Sequence, residues 1–188
     1  MESLKDKTAR SLFWNGFSNI AQQLFGLIFG IVLARLLSSH DYGLFSMLLI
    51  FTSLANLLQD SGFTTALINK RNATDADYNA VFWFSLTMGV SLYAIFFLAA
   101  PWIARAYGAP ELTAGARVLF LWFLFICTGT VHNAILIKRL MMKEKTRADL
   151  IAFLTSCVVA VTMALAGMAY WSLIVQMVVQ GAVSTVLR

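Results

Sequence analysis

Apolar runs of about 20 residues, broken by short clusters of charges and turn formers, set the rhythm of this chain. They lie at about 11–33, 43–66, 80–104, 114–137, 150–167 and 170–187, near the length at which a helix crosses a hydrocarbon layer of roughly 30 Å. The polar breaks fall at about 35–41, 69–79, 105–113 and 138–149. Because the runs are continuous rather than alternating, helices are predicted in preference to a transmembrane β-barrel. The pattern reads as an all-α polytopic membrane protein, a bundle of six transmembrane helices occupying 1–188 as one unit. The first run is too long for the apolar part of a signal peptide and shows no small-residue cleavage site, so none is expected.

Composition sharpens this. Of the 188 residues, 60% are hydrophobic and 12% charged, with a mean hydropathy of +0.76. A soluble domain carries about a quarter charged residues. A cytosolic enzyme, a disordered segment and a nucleic-acid-binding domain are therefore excluded as first readings. The net charge of +5 is explained by its distribution. With a cytoplasmic N-terminus, Lys5, Lys7, Arg10, Lys70, Arg71, Lys138, Arg139, Lys143, Lys145, Arg147 and Arg188 fall inside, and Arg35, Arg105 and Arg117 outside. That bias predicts the N-terminus in the cytoplasm and an even number of spans. Cys127 and Cys157 both sit in apolar runs, and with two histidines they make neither a disulfide framework nor a metal site. No cofactor is expected.

Local signals mark the boundaries. Ser38-Ser39-His40-Asp41 and Thr74-Asp75-Ala76-Asp77 both fit the capping pattern that satisfies free amides at a helix start. Asn72-Ala73-Thr74 matches a glycosylation sequon on the predicted cytoplasmic side and is read as chance.

Polar groups at membrane depth are where function is sought, because lipid does not satisfy them. In the first span Ser11, Asn15, Ser18, Asn19, Gln22 and Gln23 fall within an arc of roughly 140°, and Gly26 and Gly30 continue the stripe. Two readings are open: a helix–helix seam, with Gly26 and Gly30 allowing close approach, or the wall of a hydrated cavity. Gln176 and Gln180, flanked by Ser172 and Ser184 at four-residue spacing, repeat the idea in the sixth span. Asp60, beside Thr52, Asn56 and Gln59, is the one carboxylate within a predicted span and a candidate for ion coupling, or an interfacial partner of Lys70 or Arg71. His132 and Asn133 lie near the inner end of the fourth span and read as interfacial. Arg35 and Arg117 either snorkel or form a cationic wall suited to an anionic headgroup such as a pyrophosphate. Lys138, Arg139, Lys143, Lys145 and Arg147 form the densest basic cluster, explained by the inside bias and by anionic lipid heads, or serving headgroup capture. There is no Gly-x-x-x-x-Gly-Lys-Ser/Thr loop, His-Glu-x-x-His or Gly-x-Ser-x-Gly, so no catalytic residues are assigned.

The order of motifs resembles a known family. Leu33-Ala34-Arg35-Leu36-Leu37-Ser38 with Asp41-Tyr42-Gly43, Asp60-Ser61-Gly62-Phe63, Asn79-Ala80-Val81-Phe82-Trp83, Ala100-Pro101-Trp102-Ile103-Ala104 and Trp171-Ser172-Leu173-Ile174-Val175-Gln176 are similar to the bacterial oligosaccharide flippases. These belong to the multidrug/oligosaccharidyl-lipid/polysaccharide exporter superfamily, and its lipopolysaccharide and exopolysaccharide exporters match best. Ser39 stands where that family often has proline, a place a capping serine fills without altering the turn.

The resemblance implies an undecaprenyl-diphosphate-linked oligosaccharide carried from the inner to the outer leaflet of a bacterial inner membrane. It also implies two lobes of six spans that rock about a cationic, water-filled cleft. The chain is then an N-terminal lobe, half of a transporter, with a C-terminal lobe as partner. An ion-coupled antiporter of the same superfamily and a non-transporting six-span scaffold are the alternatives.

Overall fold

In the computed structural model, which describes residues 4–59, 63–70, 74–138 and 141–188, the described residues fold into helices joined by short turns. They are α1 (Leu4–Leu36), α2 (Ser39–Gln59), α3 (Phe63–Asn69), α4 (Asp75–Ala106), α5 (Leu112–Leu119), α6 (Leu121–Lys138), α7 (Met142–Leu165) and α8 (Ala169–Leu187). Five stretches are long and apolar enough to cross a membrane: Gly16–Leu36, Asp75–Ala106, Leu112–Lys138, Met142–Leu165 and Tyr170–Leu187. The chain is a multi-pass membrane protein.

Of the stretch predicted at 43–66, α2 covers the part up to Gln59 and α3 the part from Phe63, and residues 60–62 lie outside the described ones. Ser46, Thr52 and Ser53 of α2 turn their hydroxyls back onto helix carbonyls, which satisfies them within the helix. The fifth helix differs at its start: α7 begins at Met142, well before the predicted 150, so Lys143 to Asp149 are helical and not a loop. Lys, Glu and Arg are good helix formers, and Lys145 pairs with Asp149 one turn on.

Both predicted caps are present. The Asp41 carboxylate accepts from the Ser38 amide at 2.9 Å and from its hydroxyl at 2.6 Å. Asp77 does the same for Thr74, at 2.9 and 3.0 Å, and also accepts from Lys70 at 2.7 Å. At the other ends, Gly108 and Gly167 take φ of +64° and +83°. There the amides of Ala109 and Met168 reach back to Ala104 and Met163 at 3.0 and 3.1 Å, closing α4 and α7 with Schellman turns.

Contacts fix the directions of the helices. Thr146 at the start of α7 donates to the Trp14 carbonyl near the start of α1. Leu33 and Leu37 at the far end of α1 cluster with Ala160 and Ala164 at the far end of α7, so the two run parallel. Arg188, ending the chain after α8, pairs with Asp149 near the start of α7, so α8 runs back. The α5–α6 unit is parallel to α8: Gly115 lies against Tyr170, and Thr185 donates to the Phe125 carbonyl at 2.7 Å. Gly89 of α4 lies against Cys127 of α6 and Phe96 against Phe120, so these two are antiparallel. The bundle therefore has a proximal end, where α1 and α7 begin, and a distal end.

The main core is distal. Leu48, Phe96, Ala100, Leu112, Ala116, Phe120, Phe123 and Ile174 close it, with Phe120 stacked on Phe123. The proximal half is held by another device. Ala148, Ala152, Ser156, Ala160 and Ala164 form an unbroken four-residue repeat of buried small side chains along α7. In lipid such a seam draws helices together by close van der Waals approach. α1 and α8 both pack on α7.

Candidate functional site

A cavity of about 280 Å³ opens between α1, α6, α7 and α8. Gln22 enters it from α1, Trp122 from α6, Asp149 from α7, and Gln180, Ser184 and Arg188 from the end of α8. Position 181 is glycine where α8 passes Trp122: a Cβ there would come within 2.6 Å of the indole Cδ1, so the ring edge is seated against the helix backbone.

The proximal wall is ionic. One carboxylate oxygen of Asp149 meets Lys145 Nζ at 2.6 Å and the other meets Arg188 Nη2 at 2.6 Å. The Asp149 and Arg188 side chains are 13% and 18% exposed. Arg188 Nε is buried without a hydrogen-bond partner. One carboxylate thus ties two cations together and offsets half of their charge.

The predicted stripe on α1 divides. Ser18 is buried and Gln22 half-buried, with Gln22 Nε2 donating to Ser18 Oγ at 2.9 Å, and Gly26 lies against Phe153 of α7. That edge is a helix seam that also reaches the cavity. Asn19, Gln23 and Gly30 are exposed on the open side of α1, and the Asn15 side chain lies outside the described residues. Of the α8 amides, Gln180 faces the cavity, whereas Gln176 donates to Cys157 Sγ at 3.5 Å.

The cations fare differently. Arg35 is exposed at the distal end of α1. Sixteen residues at ~100° each turn it about 160° from Asn19, onto the side of Phe17 and Ile31 rather than the amide edge. Arg117 lies over the Phe97 ring at 4.4 Å, with its Nε buried and unpartnered. The distal pocket described, of about 420 Å³, is lined by the carboxylates Asp41 and Glu111 instead of by these arginines.

The basic cluster is partly spent on structure, contrary to a role for all of it in headgroup capture. Lys138 donates to the carbonyls of Leu67 and Lys70 at 3.2 and 2.8 Å, capping the end of α3, and lies 5.7 Å from the Tyr78 ring. Lys145 is taken by Asp149. Lys143 lies 5.8 Å from the Trp14 ring, and Arg147 is exposed. Arg139 and Asp60 fall outside the described residues. Replacing Lys138 by methionine is expected to fray α3 and to speed tryptic cleavage after Lys70 and Arg71 several-fold, while cleavage at the other sites, position 138 itself aside, is unchanged.

Sequence reasoning missed Asp149, Trp122 and Arg188 as cavity residues. Asp149 was placed in a loop because its neighbours are charged. The signal that locates it is the small-residue repeat, which extends back to Ala148 and carries the helix with it.

Comparison with known proteins gives a consistent family. Residues 32–188 match a family described as "Polysaccharide biosynthesis protein". The lipopolysaccharide biosynthesis protein WzxC of Escherichia coli K12 is 27% identical over 138 residues, covering 73% of this chain and 28% of its own length. The succinoglycan biosynthesis transport protein ExoT of Rhizobium meliloti is 28% identical over 176 residues, 93% of this chain and 35% of its own. The teichuronic acid biosynthesis protein TuaB of Bacillus subtilis is 25% identical over 150 residues, 80% of this chain and 31% of its own. The chain spans 28–35% of these relatives, nearer a third than the half expected. No solved structure matches.

Proposed function

Because this chain belongs to the polysaccharide biosynthesis protein family, we propose that it is the N-terminal six-helix lobe of a flippase and carries no catalytic step of its own. The cargo is an undecaprenyl-diphosphate-linked oligosaccharide, moved from the inner to the outer leaflet of the bacterial inner membrane by alternating access. The remaining length of the relatives supplies the second lobe.

α2 is the sixth span. Its 21 residues reach about 31 Å, enough to cross. With the N-terminus cytoplasmic, the cavity opens on the side that receives the cargo. The observation that carries the reading is this cavity, where amides from α1 and α8 and an ionic wall meet inside an otherwise apolar bundle. The exposed Asn19 and Gln23 support it too, since lipid gives amides no partners and a wet cleft does. Arg35 and Arg117 remain candidates for the anionic headgroup at the exit, and Arg139, Lys143 and Arg147 for its capture at the entrance. Both oxygens of Asp149 are committed to cations, which favours a structural carboxylate over an ion-coupling one. Ion coupling is left to Asp60.

The test is polymer export by the full-length protein carrying Gln22→Leu and Gln180→Leu together. Export is expected to fall about tenfold, as for a loss of ~1.4 kcal/mol of binding, with membrane abundance unchanged. Undiminished export removes the cavity from the pathway. In the same membranes Asn19→Cys and Gln23→Cys should react with a water-soluble maleimide from the cytoplasmic side, and Leu27→Cys should not.

A further inference from the structure

The cavity between α1, α6, α7 and α8 has a chemistry more particular than "polar". We propose that it is a subsite for one uncharged sugar ring of the cargo and not for its diphosphate, an inference that rests on the flippase reading above.

Charge is the first argument. The charged groups lining the cavity are one carboxylate, Asp149, and one guanidinium, Arg188, and they neutralise each other at 2.6 Å. The nearby Lys145 is held by the same carboxylate. The cluster keeps a net charge of +1, but both cations are already engaged by Asp149, and a diphosphate entering here brings several negative charges up against that carboxylate, so the site favours a neutral ligand.

Hydrogen-bonding capacity is the second. A phosphate takes donors only, whereas each sugar hydroxyl both donates and accepts. The lining offers both kinds: Gln22 and Gln180 have an acceptor and two donors each, Ser184 does either, Asp149 accepts and Arg188 donates.

Shape is the third. Trp122 lines the cavity and is seated against α8 at Gly181, giving an apolar surface for the C–H groups of a pyranose, as in amphipathic recognition by indole. A volume of about 280 Å³ sits at the low end for small-molecule pockets, suited to one ring and too small for an oligosaccharide.

The experiment uses Ser184→Cys in the full-length protein, stripped of its other cysteines, and follows its rate of labelling by a small maleimide. The probes are methyl glycosides of glucose, galactose, mannose and N-acetylglucosamine, with inorganic pyrophosphate and mannitol as comparisons. At least one glycoside, at about ten times its Kd, is expected to slow labelling about tenfold. Pyrophosphate and mannitol are expected to leave the rate unchanged, and Trp122→Ala to abolish the protection.

Protection by pyrophosphate without any glycoside overturns the proposal, and so does protection by none of the probes. If the latter result accompanies failed export in the Gln22/Gln180 variant, the sugar subsite falls and the flippase reading stands. If a glycoside protects while that variant exports normally, the site binds sugar and it is the transport reading that falls.

Discussion

Replacing Gly115 by alanine is expected to destabilise the bundle by about 3 kcal/mol, at the upper end for overpacking. A methyl group at this position would collide with the Tyr170 hydroxyl oxygen and lie 2.7 Å from its Cζ and 2.8 Å from Ile174 Cδ1. Tyr170 is 7% exposed, Ile174 is fully buried, and both belong to the distal core that Phe96, Phe120 and Phe123 close. A rigid ring cannot swing aside as a lysine would, so the clash is relieved by moving α5 away from α8. Thermal unfolding of the full-length protein in detergent measures the loss. Shortening the partner with Tyr170→Leu should recover most of it in the double variant, although that change alone is destabilising. Additive losses in the two would show that the helices are not in contact here.

Removing the Asp149 carboxylate is expected to be nearly as damaging, for an electrostatic reason. Asp149→Ala leaves Lys145 and Arg188 facing each other, each partly buried, with no counter-charge. Breaking a fully buried pair costs about 3–5 kcal/mol, but these side chains are 13–23% exposed and water screens part of the repulsion, so about 2 kcal/mol is expected. Unfolding temperature should fall, and added salt should restore part of it by screening. The decisive comparison is the double variant Asp149→Leu with Arg188→Met. Filling the space with apolar side chains removes both the pair and its desolvation cost, so much of the stability should return. If the double variant is worse than the single, the ion pair itself supplies net stability.

The sequence is most legible where one physical effect dominates. Lipid demands long apolar helices, and four of the six runs predict membrane-length helices closely, down to the caps at Ser38 and Thr74. The fourth is interrupted at Phe120, between α5 and α6, a break that the apolar run conceals because hydropathy records how apolar a stretch is and not where its backbone turns. The site was legible by halves. Periodicity placed Ser18, Gln22 and Gln180 on inward faces, but an arc of 140° is wider than one contact, so it could not separate Gln22 from Asn19 and Gln23. Asp149 was lost because charge was taken to mean solvent, when two cations within 2.6 Å hold it at the cavity wall. Lys138 shows the converse: a charge that the orientation rule accounts for also has a local task, donating to the carbonyls of Leu67 and Lys70 at the end of α3.

The packing of α1 on α7 carries a consequence for how the protein is made. The hydrogen bond from Thr146 to the Trp14 carbonyl joins residues 132 apart in the chain. At a synthesis rate of ~5–20 residues per second, roughly ten seconds separate the emergence of the two partners. Throughout that interval α1 lacks the α7 seam on which it packs, with Ser18 and Gln22 as naked to lipid as Asn19 and Gln23. The buried edge of α1 is therefore completed late, when the α7 alanine repeat arrives.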